Sequence, residues 1–148
     1  MYNLIRKRSY MAVVGQRMEP SEIISRKEVF LELNGEGLKA AEIEKALAGS
    51  FTVRLDGSAV KNKRDLLAAL AAGLRFPAYF GGNWDALLDC LRSLPDLVQA
   101  PGYAVIIERS DLFLKDSPAD LKNFRNIAET AAAFLSENYK LPLRIIAL

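Results

Sequence analysis

Asp85 and Asp89, four residues apart, are the side chains of this sequence best spaced to act together. On a helix, positions i and i+4 lie one above the other on the same face, so the two carboxylates would form an acidic ridge. Such a ridge has two chemical uses. With Asp96 it could hold Mg²⁺ beside a phosphate-bearing substrate. It could equally meet the cations of another protein as charge-assisted partners. The first use lacks its companions: Gly81-Gly82 is too short to cradle a phosphate and no Lys follows it. There is no histidine, which excludes His-based acid–base catalysis, Ser-His and Cys-His nucleophiles and His-ligated metals. The single cysteine, Cys90, excludes an internal disulfide and a structural zinc site, and reads as a small buried hydrophobe. No catalytic residue, cofactor or metal is therefore expected. Spacing alone favours a solvated acidic face without function, because acids at a helix start are stabilised by the helix dipole.

The ridge needs a helix to carry it. Asn83 is a good N-cap, and Trp84, Leu87, Leu88 and Leu91 follow at i, i+3, i+4 and i+7, one apolar stripe facing a core. This predicts a short helix over 84–93, stopped by Leu94-Pro95. Arg92, three residues after Asp89, can pair with it. Pro77, Gly81 and Gly82 shape the preceding loop, and by composition Tyr79 and Phe80 are loop aromatics folded onto the core.

Around that helix, strands are expected at 29–33, 51–55, 103–107 and 143–148, the last two nearly continuous apolar runs. Helices are expected at 38–48, 65–73 and 120–136, the longest with a buried stripe of Leu121, Phe124, Ile127, Ala128, Ala131 and Leu135. Strands alternating with helices argue for an α/β domain with a small parallel sheet. Residues 29–148 form the domain, with its core at 51–148. Residues 1–28 show no clear periodicity and read as a tail or an added edge strand, 1–20 being the least ordered.

Hydrophobic residues make up 51% and charged residues 26%, enough apolar material for a core without disulfides. The net charge of +2 is too small to imply a polyanion partner. Its distribution is uneven: residues 1–30 hold six basic and three acidic side chains, residues 85–120 seven acidic and three basic. The cluster Arg6-Lys7-Arg8 is a weak nucleic-acid signal with no stacking aromatics to support it. The apolar run after it is too short for a signal peptide, and no stretch approaches a membrane span. A monomer in a reducing, cytoplasmic setting is expected, with contact to neither membrane nor nucleic acid.

The run Pro77-x-Tyr79-Phe80-Gly81-x-Asn83-x-Asp85-Ala86-Leu87-x-Asp89-Cys90-Leu91 resembles the signature of the barstar family. The likeness extends from about residue 51 to the end, and residues 29–50 resemble the extra strand and helix that longer members carry in front. The resemblance implies an α/β inhibitor that blocks a small secreted ribonuclease inside the cell that makes it. A ribonuclease cleft is cationic, so carboxylates can stand where phosphates would. Within this family, association of this kind is steered by complementary charge. By position, Asp85 and Asp89 match the family's acidic contacts, Asp89 the one that enters the phosphate site. Tyr79 matches an aromatic packed over the catalytic centre, and Gly81 and Asn83 match the binding loop. Leu88 stands where the best-known member has a contacting tryptophan, and Arg92 where it has a small polar residue. A further acidic contact on the later helix is assigned to Glu129. An alternative implied by Leu88 and Arg92 is an immunity protein or other binding module of the same fold whose partner is not a ribonuclease.

Overall fold

The computed structural model describes residues 18–148. The expected loose end over 1–17 and the basic cluster at 6–8 lie outside the described residues. Four strands, β1 (Phe30–Glu32), β2 (Phe51–Asp56), β3 (Tyr103–Glu108) and β4 (Leu143–Ala147), form one sheet in the order β1-β4-β3-β2. Every pair is parallel, as an α/β reading requires. The helices are α1 (Ala40–Ala46), α2 (Lys63–Gly73), α3 (Trp84–Arg92), α4 (Leu94–Leu97) and α5 (Pro118–Tyr139).

Topology decides which face each helix covers. From β1 to β2 the chain steps across the whole sheet; from β2 to β3 and from β3 to β4 it steps back. Right-handed crossovers travelling in opposite directions put their helices on opposite faces. Accordingly α2, α3, α4 and α5 bury one face, against Val53, Leu55, Val105, Ile107 and Ile145. The other face is covered by the segment before β2. Leu31, Ile146 and Ile106 form a row across β1, β4 and β3, and Ile43 of α1 and Ile23 pack in the same cluster. Arg54 ends that row on β2, and Glu44 of α1 accepts hydrogen bonds from its Nε and Nη2 at 2.8 and 2.7 Å.

Residues 18–28 depart from the expected tail or edge strand. Pro20–Ser25 forms a 3-10 turn whose Ile23 is fully buried, and Arg144 Nη2 donates to the Ile24 carbonyl at 3.2 Å. This stretch lacks periodicity because two isolated side chains, Met18 and Ile23, anchor it. A second departure follows α3. Pro95 begins another helical turn, α4, since at the first turn its missing N–H has no partner to lose. The Tyr103 hydroxyl then ties the end of α4 to β3 by donating to the Val98 carbonyl at 2.6 Å inside the core.

Candidate functional site

The loop between α2 and α3 is folded down at both ends and lifted in the middle. Phe76 and Phe80 meet with tilted rings, 5.1 Å between centroids, and pack against the core. A turn closes through the Phe80 N–H donating to the Pro77 carbonyl at 3.0 Å. Between them Tyr79 is 84% exposed. The two aromatics expected to fold inward together are thus separated: Phe80 anchors and Tyr79 projects. The backbone then turns through Gly82 at φ +69°, a left-handed conformation that suits glycine. Gly81, the residue matched by resemblance, has no close neighbour a side chain would strike. Of the two glycines read as shaping this loop, it is therefore Gly82 and not Gly81 that takes the left-handed conformation.

Asn83 caps α3 as expected, its Oδ1 accepting from the Ala86 N–H at 2.8 Å. Leu87, Cys90 and Leu91 are buried, while Trp84 and Leu88 sit half-buried at the margins of the stripe. This rotation leaves Asp85 and Asp89 exposed, and among the described residues neither enters an ion pair. Cys90 lies just inside the ridge. Burial, and secondarily the Asp89 charge, push its thiol up, away from the reactive thiolate.

Arg92 does not pair with Asp89. Its guanidinium lies 5.5 Å from the ring centroid of Phe134 on α5, the helix against which α3 packs. Its Nε is shielded from solvent without an acceptor. Phe134 in turn packs on Tyr139 at 6.2 Å. Phe134 and Tyr139 were not foreseen. They belong to α5, and only the packing of α5 beside α3 brings them to the site.

Glu129 is not brought to this surface. The buried stripe Phe124, Ala128, Ala131 and Leu135 sets the rotation of α5. Phe134 then faces α3, while Glu129 stands about 140° around the axis from it. Glu129 lies one turn beyond Arg125, which pairs with Glu32 of β1 at 3.3 Å. Sequence spacing could not choose between the two flanks of an amphipathic helix.

Tyr79, Gly81, Asn83, Asp85, Leu88, Asp89 and Arg92 therefore lie on one loop and the helix it opens, and Glu129 lies apart. The arrangement offers carboxylates, an aromatic and one cation to a macromolecular surface. Among the described residues no three His, Cys, Asp or Glu side chains converge as a metal site, Asp85, Asp89 and Asp96 included. Also among them, no helix is long and apolar enough to cross a membrane.

A family model described as Barstar (barnase inhibitor) matches residues 50–147, from the residue before β2 to the last of β4. No curated protein matches the chain.

Proposed function

The chain belongs to the barstar family, and from that premise we propose that it binds a small cationic ribonuclease of the barnase kind and covers its active site. The binding surface is the α3 ridge with the loop that opens it. The protein carries out no chemistry and acts inside the cell that makes the ribonuclease. One observation carries the reading: Asp85 and Asp89 are exposed and free of ionic partners among the described residues, on a helix whose opposite face is locked into the core. Two like charges one turn apart cost a helix a little stability. A cationic cleft reverses the sign, because each carboxylate then replaces a phosphate against Arg or Lys. Tyr79 stands beside the ridge as a projecting aromatic of the type that dominates interface energetics. Its loop is held by the Phe76–Phe80 pair, so little of its order must be gained on binding.

The test is inhibition of RNA cleavage by barnase, with binding measured by titration. Asp89→Ala should weaken binding most, by about 30-fold or more, the loss expected when one member of a buried charge pair is removed. Asp85→Ala should weaken it less, since the helix dipole already satisfies part of that charge. Added salt should slow association. Unchanged affinity in both variants would remove the ridge from the interface.

A further inference from the structure

We propose that Arg92, backed by Phe134 and Tyr139, is a carboxylate-recognition patch on the same docking surface, so that the partner carries an acidic side chain beside its cationic cleft. This inference rests on the function proposed above and adds the charge pattern of the partner to it.

A cation in the last turn of α3 has two internal uses, and the structure tests both. It could neutralise Asp89 three residues back, but no ion pair forms between them. It could act only as a charge at the carboxyl end of the helix dipole, which asks nothing of its orientation. Arg92 is oriented nonetheless. Its guanidinium lies over the Phe134 ring at 5.5 Å from the centroid, and the residue is half-buried on the helix that packs against α5. Its Nε–H is shielded from solvent and has no acceptor within the described residues. The terminal Nη groups, neither shielded in this way nor paired among the described residues, are the donors that a carboxylate arriving from outside can reach, and the rotamer is already chosen.

The surroundings fit a protein partner. Tyr139 is 45% exposed and packs on Phe134, extending an aromatic shelf from Arg92 along α5. Half-buried Leu88 stands one turn before Arg92. Arginine beside Tyr and Phe is the composition enriched at the centres of protein interfaces. The surface is therefore bipolar: Asp85 and Asp89 toward the start of α3, and Arg92 on its aromatic shelf at the end. A partner uniformly cationic over this footprint would meet like charge at Arg92. One with an acid there gains a charge-assisted pair and is distinguished from related ribonucleases that lack it.

The experiment uses the full chain and, as probes, barnase and a panel of its variants, each placing one Asp or Glu at an exposed position around the active-site cleft. Affinities of wild-type chain, Arg92→Gln, Arg92→Lys and Asp89→Ala are measured for each probe, with a urea unfolding curve for each variant. At least one introduced acid should tighten binding to the wild-type chain by about tenfold, near the low end of coupling between close interfacial charges. Arg92→Gln should abolish that gain around a double-mutant cycle, and Arg92→Lys, which keeps the charge and most of the stem, should retain part of it. A purely structural Arg92 would change the unfolding curve without this selective coupling. If binding depends on Asp89 but no introduced acid couples to Arg92, this inference fails alone. If the wild-type chain binds no member of the panel, or binds independently of Asp89, the functional reading fails with it.

Discussion

Ile43→Ala measures whether the segment before β2 is part of the cooperative fold. Ile43 is fully buried in α1, which packs on β3 in one cluster with Ile106, Ile146 and Leu31. Removing about three carbons at ~0.8 kcal/mol each costs roughly 2.5 kcal/mol in transfer alone. The cavity left beneath α1 raises the expected loss to about 2–5 kcal/mol. That is a large fraction of a domain stability of roughly 5–15 kcal/mol. The assay is urea unfolding followed by fluorescence of Trp84, the single tryptophan, which packs against the core on the opposite face of the sheet. Trp84 can report a loss at Ile43 only if both faces unfold as one unit. Ile106→Ala should cost a similar amount, and the double variant should deviate from additivity by at least ~0.5 kcal/mol, because the two side chains share one cluster. A Trp84 midpoint unmoved by Ile43→Ala would refute the reasoning. The extension would then open independently, leaving the matched domain to stand without it.

Three further outcomes follow from individual contacts. Tyr103→Phe should destabilise by about 1–2 kcal/mol, because the Val98 carbonyl loses its buried donor, and calorimetry should show the lowered Tm. Gly82→Ala should cost about 1–2 kcal/mol from left-handed strain and weaken partner binding, whereas Tyr79→Ala should weaken binding with an unchanged unfolding curve, since Tyr79 projects into solvent. Hydrogen bonds from Arg109, and then from Ser58, hold the Asp56 carboxyl below the usual carboxylate range. A lowered folded-state value stabilises fully above the unfolded value of about 4 and is lost as pH falls through the folded value. Urea midpoints of the wild type should therefore drop below about pH 4, and Arg109→Gln should flatten that drop; identical acid profiles would dismiss the pair.

Local signals were enough for the four strands and for the helix that carries the acidic ridge. The apolar runs of β3 and β4 are buried on both faces and read as strands because nearly every position must be apolar. Asn83 and the stripe through Leu87 and Leu91 place α3 to within a residue, since cap and periodicity act within one turn. The dense run from Pro77 to Leu91 carried the family, and the alternation of strands with helices carried the parallel sheet. Misjudged elements depended on a few long-range contacts or on context: the turn at Pro20–Ser25, held through Ile23 with Met18 buried beside it in the same cluster, and the helical turn that Pro95 starts rather than prevents.

By itself, then, the sequence determined the class of fold, the acidic ridge and the absence of histidine chemistry, because composition, periodicity and capping are properties of short stretches. It could not decide which flank of α5 faces α3. That depends on how the Ala128, Ala131 and Leu135 stripe seats on the sheet, and it removes Glu129 from the site while bringing Phe134 and Tyr139 to it. Nor could spacing decide between two partners for Arg92, a carboxylate one turn back or a ring on another helix. Tertiary packing chose the ring, because the α3–α5 contact fixes the stem of Arg92 away from Asp89.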